Sequence, residues 1–158
     1  MSIIVGADTY ISVSDADTYF SKRYNGELWA ELTTGDKERL LTTATHKIDR
    51  LNLKGQKKVY TQTLSFPRVY AVRDNYSHIN GFNIDTVPDN VKYAVCEEAL
   101  AMTNTEILKR KELQDQGVTS FSLGSLSESY QGRSSNPLLS KEATEYLKGW
   151  LLGALRIC

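Results

Sequence analysis

The feature that most constrains the fold is a strongly apolar helical pattern in the second half of the chain. It begins at Val87-Pro88, and proline is favoured in the first turn of a helix because its missing N–H would have no partner there. The apolar positions that follow at helical spacing are Val91, Ala94, Val95, Ala99, Leu100 and Met102, and the pattern continues through Ile107 and Leu108. We predict that this segment is the central core helix.

Two amphipathic helices are predicted before it. Ser12 is a suitable N-cap with Asp15 as its capping-box partner, and Thr33 or Thr34 caps a longer helix. A short helical turn is expected between them, around Leu28 to Leu32. The apolar faces of the two helices consist of Val13, Ala16, Tyr19 and Phe20 in the first and Leu40, Ala44, Ile48 and Leu51 in the second.

Helical periodicity is lost between Asn52 and Val87. Gly55, Pro67 and Gly81 interrupt the pattern, and a connection of this length inside a compact domain is uncommon. We therefore predict a long exposed loop, which is most pronounced over residues 69–86.

After Gly117 the apolar period changes from that of a helix to that of a strand. Alternating residues on both sides of a Gly124-Ser125 turn signal predict a β-hairpin over residues 118–130. A C-terminal helix and tail are predicted over residues 140–158. The expected fold is a single domain, residues 1–158, of the mainly α class. It is a small bundle of about four helices with a long exposed loop and a β-hairpin before the C-terminal helix.

The composition argues against several functional classes. The chain has 19 basic and 19 acidic residues, so no global field draws it to nucleic acid or to a membrane. Cys96 and Cys158 lack the spacing of a disulfide scaffold or a zinc site. The N-terminus does not resemble a signal peptide, and no apolar run approaches the roughly 20 residues that span a bilayer. We expect no membrane contact.

No catalytic or cofactor motif is evident. His46 lies beside the apolar face of a predicted helix, and His78 has no neighbour at metal-ligand spacing. Phosphate-binding glycine motifs and nucleophile elbows are absent from the sequence. We expect a protein that is not an enzyme and that needs no metal and no cofactor.

Basic and aromatic residues are interleaved in the middle of the chain. This pattern could hold a phosphate backbone and stack on bases, or it could contact an acidic partner protein, which we favour. The residues predicted to contact DNA or a partner are Lys54, Lys57, Lys58, Tyr60, Arg68 and Arg73. The first 46 residues are acidic overall, and a chain with two oppositely charged regions is suited to head-to-tail contacts in a ring.

Several blocks together resemble the head–tail connector (adaptor, head completion) proteins of tailed phages. Relatives with this pattern often carry the label DnaT-like single-stranded DNA-binding protein. The blocks are residues 9–20 (TYISVSDADTYF), Trp29, residues 44–49 (ATHKID), Gly55, residues 62–68 (QTLSFPR) and residues 87–92 (VPDNVK). They cover nearly the whole chain in the expected order. The insert between Arg68 and Val87 is longer here than in the pattern.

The resemblance implies a structural virion protein at the head–tail interface, assembled in the host cytoplasm. Identical subunits, typically twelve, would form a ring beneath the portal protein and extend the channel for double-stranded DNA toward a tail-side connector or tail terminator protein. The C-terminal segment often reaches the portal in such adaptors, so an apolar anchor is expected there. It would consist of Trp150, Leu151, Leu152, Leu155 and Ile157. Alternatively, the last helix completes the core of the monomer.

A second hypothesis is a single-stranded DNA-binding protein of phage replication. It requires the basic and aromatic residues of the central stretch to share one face, and it predicts an affinity that falls steeply with salt. The zero net charge favours the connector.

Overall fold

The fold is mainly α-helical, as the sequence predicts. The computed structural model describes residues 3–73, 79–116, 120–123, 126–129 and 137–152. Within these ranges there are six helices rather than about four. They are α1 (Val13–Ser21), α2 (Glu27–Ala30), α3 (Thr34–Asp49), α4 (Asp89–Ala101), α5 (Thr105–Asp115) and α6 (Lys141–Leu147). The strands are β1 (Gln56–Lys57), β2 (Arg68–Arg73), β3 (Ile79–Asn83), β4 (Ser120–Leu123) and β5 (Leu126–Ser129).

Helices α1 and α3 begin at the predicted caps. The Ser12 hydroxyl accepts a hydrogen bond from the Asp15 backbone N–H at 3.1 Å and donates one to the Asp15 carboxylate at 2.7 Å. The Thr33 hydroxyl accepts from the Asp36 backbone N–H at 3.2 Å in the same way. These side chains satisfy N–H groups that the helix itself leaves without partners.

The apolar helix α4 lies at the centre of the fold, as predicted. It packs between α3 and α6. Its fully buried apolar side chains are Val91, Ala94, Val95, Cys96 and Ala99, which meet Leu41 and Ile48 of α3 and Leu147 of α6 in one core cluster.

The predicted continuation of this helix through Ile107 and Leu108 is wrong. Helix α4 ends at Ala101, and Asn104 is the N-cap of a separate helix, α5. The Asn104 side chain accepts hydrogen bonds from the backbone N–H groups of Glu106 at 3.0 Å and Ile107 at 3.2 Å. Asparagine stabilises such an N-cap better than it stabilises a helix interior, which explains the break.

The insert over residues 69–86 was predicted as a loop, but much of it forms β-structure. Strands β2 and β3 pair antiparallel, with Tyr70 opposite Phe82 and Arg73 opposite Ile79. Strand β1 joins the other edge of β2, which gives the order β1-β2-β3. Pairing satisfies the backbone groups that a loop would leave to solvent. The exposure of side chains 71–83 lies outside the described residues.

The β-hairpin predicted over residues 118–130 is confirmed where the structure describes it. Strands β4 and β5 pair antiparallel, with Ser120 opposite Ser129 and Leu123 opposite Leu126. Residues 118–119 and 130, which the prediction included, lie outside the described ranges.

The last helix is shorter than predicted. Helix α6 ends at Leu147, and the chain then runs antiparallel to the segment after α3. Leu53 and Leu151 form an isolated bridge, with hydrogen bonds from Lys54 N–H to the Trp150 carbonyl at 2.7 Å and from Leu152 N–H to the Asn52 carbonyl at 2.8 Å. Residues 153–158 of the predicted tail lie outside the described ranges.

A buried polar contact joins the N-terminal segment to the end of α3. The Tyr10 hydroxyl donates a hydrogen bond to the Asp49 carboxylate and accepts one from the Phe66 backbone N–H at 3.2 Å. Asp49 also accepts from the Ser65 backbone N–H at 2.7 Å. This contact fixes the position of the chain just before β2.

Candidate nucleic-acid interface

Three of the predicted basic and aromatic residues lie together on one surface turn. We call residues 57–62, which connect β1 to the segment before β2, the lysine turn. It carries Lys57 and Lys58, and the Tyr60 side chain is 98% exposed. The Lys58 backbone N–H donates to the Pro67 carbonyl at 3.0 Å, which holds the base of the turn against the chain leading into β2.

Gln62 fixes the conformation of the lysine turn. Its side-chain carbonyl accepts from the Val59 backbone N–H at 3.0 Å, and its amide donates to the carbonyls of Leu64 at 2.8 Å and Pro67 at 3.0 Å. The Lys57 ammonium donates to the backbone carbonyl of Gln62 at 3.0 Å. The turn is therefore ordered by its own side chains.

The two lysines of the turn differ in electrostatic environment. Lys57 is exposed, and its two hydrogen bonds go to the neutral carbonyls of Gln62 and Thr63, so no carboxylate compensates its charge in these contacts. Lys58 pairs with Asp85, whose side chain is largely exposed. Surface pairs of this kind are weak and easily exchanged for another anion.

Arg68 does not belong to the exposed basic surface, although the sequence places it there. Its side chain is 7% exposed. The guanidinium donates to the backbone carbonyls of Lys54 at 2.7 Å, Leu53 at 3.1 Å and Ser65 at 3.2 Å, and also to Gly55. Burial lowers its pKa, although an arginine remains charged. Arg68 therefore cross-links two chain segments and does not face solvent as a phosphate contact.

Lys54, another of the predicted basic residues, is directed away from the lysine turn. The Lys54 ammonium donates to the Gly149 carbonyl at 3.0 Å, beyond the end of α6. Arg73 is the last residue of β2, and its side chain lies outside the described residues. Among the predicted residues whose side chains the structure describes, Lys57, Lys58 and Tyr60 lie on one turn, and Lys54 and Arg68 do not join them.

Two of the three described residues of the predicted apolar anchor pack against the monomer. Trp150 is half-buried, and its ring meets Phe66 edge-on with centroids 5.4 Å apart. Leu151 is partly buried against the core, and Leu152 is exposed. Leu155 and Ile157 lie outside the described residues.

A second surface was not anticipated from the sequence. A groove of about 570 Å³ lies between α1, α4 and α6, and we call it the tyrosine groove. Its lining residues are Ile11, Asp15, Thr18, Tyr19, Lys22, Arg23, Asp89, Lys92, Tyr93 and Tyr146. Three aromatic rings and three cations therefore surround one open cleft.

The tyrosine groove has a local sequence signal that periodicity alone does not reveal. Tyr19 at the end of α1 is followed at positions +3 and +4 by Lys22 and Arg23, and Asp89, Lys92 and Tyr93 repeat this spacing on α4. The sequence pattern places Tyr19 on the apolar face of the first helix and so predicts a core position for it. The packing of α1 on α4 leaves it half-buried at the edge of the core.

The described residues provide no metal site. They contain no group of three His, Cys, Asp or Glu side chains placed to hold an ion. Cys96 is fully buried in α4, and this burial raises the pKa of its thiol. Among the described helices, none is long and apolar enough to cross a membrane.

The family model described as putative DnaT-like ssDNA binding protein matches residues 2–156. The chain belongs to this family. No curated protein and no solved structure shows significant similarity to it. The description of the DnaT-like family agrees with the single-stranded DNA hypothesis more directly than with the head–tail connector hypothesis.

Several residues of the sequence blocks that resemble the connector proteins stabilise the structure of this DnaT-like family member. Asp49 binds Tyr10 and the chain before β2, Gln62 orders the lysine turn, and Arg68 cross-links backbone carbonyls. Trp29 is buried, and its indole N–H donates to Asp17 at 2.8 Å. These residues therefore stabilise the structure, and contacts with a ligand fall to the exposed residues.

Proposed function

We propose that this DnaT-like family member binds single-stranded DNA through the lysine turn. The observation that carries the proposal is the nearly complete exposure of Tyr60 on an ordered turn beside Lys57 and Lys58. An exposed tyrosine ring offers a stacking face to any base, and lysine ammonium groups neutralise phosphates. Stacking on such a ring requires an unpaired base, which favours single-stranded DNA over duplex.

The charges of the turn set the expected strength of binding. The chain has no net charge, so attraction depends on local groups. Lys57 is not compensated in its contacts, whereas Lys58 must exchange Asp85 for a phosphate. The logarithm of the affinity should fall by about 0.7 per tenfold rise in salt for each phosphate contact.

The proposal is tested by fluorescence anisotropy with a labelled oligothymidylate over a range of salt concentrations. Tyr60→Ala should weaken binding, and Lys57→Gln should reduce the salt slope. Tyr24→Ala is the matched control because Tyr24 is also an exposed tyrosine, 88% accessible, three residues after the end of α1. Equal affinities of the Tyr60 and Tyr24 variants, or the absence of salt-sensitive binding, would overturn the proposal.

A second candidate, the head–tail connector, is supported by the distribution of charge along α3. Exposed Glu31 precedes this helix and exposed Arg50 follows its end, whereas Asp36 in the first turn is paired with Arg39. The sixteen residues of α3, which lie between Glu31 and Arg50, span about 24 Å. Opposite charges at two ends of a subunit suit heterologous contacts that close a ring. The portal protein and a tail-side protein would then be the partners, at the head–tail interface of the virion.

Electron microscopy of the protein mixed with the portal of its own phage separates the two candidates. A subunit ring bound under the portal supports the connector. If no complex forms while the oligothymidylate is bound in a salt-sensitive manner, the connector is rejected.

A further inference from the structure

The floor of the tyrosine groove is held rigidly by a buried carboxylate. Glu97 of α4 is almost fully buried, and it accepts a hydrogen bond from the Tyr19 hydroxyl at 2.6 Å. Arg23 pairs with the same carboxylate and donates to its second oxygen at 2.7 Å. The Glu97 charge is thus compensated by Arg23, and the Tyr19 ring is fixed on the floor of the groove.

The three tyrosine rings form a continuous aromatic surface. Tyr93 stacks on Tyr19 with centroids 4.8 Å apart and planes inclined by 21°. Tyr146 meets Tyr93 at 5.8 Å and 65°. The Tyr19 and Tyr146 hydroxyls lie 3.4 Å apart, and the Tyr146 carbonyl accepts from the Asn90 side chain at 3.2 Å. Contacts with three helices therefore define the ring positions in advance of any ligand.

The rings remain accessible from the open side of the groove. Tyr146 is 36% exposed, and Tyr19 and Tyr93 are half-buried. A volume of about 570 Å³ lies in the range of sites that hold small organic molecules. A planar aromatic ligand can therefore enter and contact a tyrosine face.

The charges of the rim indicate which planar ligand fits. Lys22, Arg23 and Lys92 line the groove together with Asp15 and Asp89, and the charge of Arg23 is already compensated by Glu97. Lys92 pairs with Asp89 at 3.1 Å, whereas Lys22 is exposed and makes no ion pair with any residue that the structure describes. This balance suits a ligand with one phosphate beside a ring better than a polyanion.

We propose that the tyrosine groove is a second contact for single-stranded DNA, in which one unpaired base stacks on Tyr93 or Tyr146 and its phosphate meets Lys22. This inference rests on the proposed function. It assigns a different role to each surface: the lysine turn contributes charge and one exposed ring, and the groove contributes stacking in a preformed site. Base–aromatic stacking depends little on salt, unlike contacts between lysine and phosphate.

Photocrosslinking tests the site directly. An oligodeoxynucleotide containing 5-iodouracil is irradiated with the intact protein, and the crosslinked residues are identified by mass spectrometry. Crosslinks at Tyr93 or Tyr146 support the groove. Crosslinks confined to the lysine turn overturn the groove and leave the proposed function intact, and failure of the oligonucleotide to bind overturns both.

Substitution of Tyr146 gives a second, independent test. Tyr146→Ala should weaken oligonucleotide binding by about five- to 150-fold, the range for loss of one stacked base, and the factor should persist at high salt. Tyr146→Phe keeps the ring and should restore most of the affinity. An alanine variant that melts like the wild type and binds DNA equally well would refute the stacking role.

Discussion

The carboxylate of Glu98 accepts a hydrogen bond from the backbone N–H of Ser140 at 2.9 Å, and this contact joins α4 to the start of α6. Glu98 is fully buried. It also accepts from the Leu139 backbone N–H at 2.9 Å and from the Lys47 ammonium of α3 at 2.9 Å. One side chain therefore holds three parts of the fold together.

Replacement of Glu98 should destabilise the fold strongly. Glu98→Ala leaves two backbone donors and Lys47 without their acceptor, so we expect the free energy of unfolding to fall by about 3–5 kcal/mol. Urea denaturation measures it. The control is Glu145→Ala on α6, an exposed position where changes stay within about 0.5 kcal/mol. Similar losses in the two variants would contradict the structural role of Glu98.

Arg68 should matter for stability and not for DNA binding. Arg68→Lys cannot reproduce the bonds to four backbone carbonyls, so we expect a loss of about 2–4 kcal/mol in the free energy of unfolding. The salt slope of oligothymidylate binding should stay unchanged at temperatures where the variant is folded. A reduced slope with normal stability would instead identify Arg68 as a phosphate contact.

Trp150 should contribute to the stability of the monomer. Trp150→Ala removes the ring that packs against Phe66, and we expect a loss of about 3 kcal/mol, since the site is only partly buried. Leu152→Ala, at an exposed neighbouring position, should cost less than about 1 kcal/mol. If thermal melting shows no effect of Trp150→Ala, the ring is available for a partner, as the predicted portal anchor requires.

Alkaline pH should weaken the fold through Tyr10. The pKa of Tyr10 is raised above its ordinary value of 10.0, first by burial and then by its hydrogen bond to Asp49. The folded chain therefore keeps the phenolic proton that the unfolded chain loses. This contribution to stability is complete below pH 10.0 and is lost as the pH rises further, by up to about 1.4 kcal/mol per pH unit.

Unfolding curves measured on both sides of that pH check the prediction. Tyr10→Phe removes the ionisable group, so the stability of this variant should decline less steeply above pH 10.0 than that of the wild type. The pKa of Tyr19 is raised by burial and by Glu97 in the same direction, so part of the decline should remain. Equal slopes in the wild type and the variant would contradict the role of Tyr10.

The sequence predicted those elements whose signals are local. Ser12 and Thr33 act within one helical turn, so the starts of α1 and α3 were found correctly. The apolar period of α4 identified the central helix. Asn104 was overlooked because the apolar positions on both sides of it continue in phase, although its side chain is a better cap than a helix interior residue.

The candidate surfaces depend on contacts between residues that are distant in sequence. The sequence therefore predicted the position of some of their residues and not of others. Lys57, Lys58 and Tyr60 lie together because they are neighbours in sequence on one turn. Arg68 was misplaced because its partners are carbonyl oxygens, which no residue pattern displays. The tyrosine groove was missed because its rings come from three helices that only the tertiary fold brings together.

The antiparallel pairing of Leu151 with Leu53 has a mechanical consequence. A pull on the chain beyond Leu152 is carried first by the two hydrogen bonds to Asn52 and Lys54. Because the chain continues from Lys54 into β1 and then the lysine turn, tension reaches that turn by a shorter path than through α6 and the helical core. A force applied to the segment after Leu152 therefore also acts on Tyr60, the most exposed aromatic residue in the part of the chain that the structure describes.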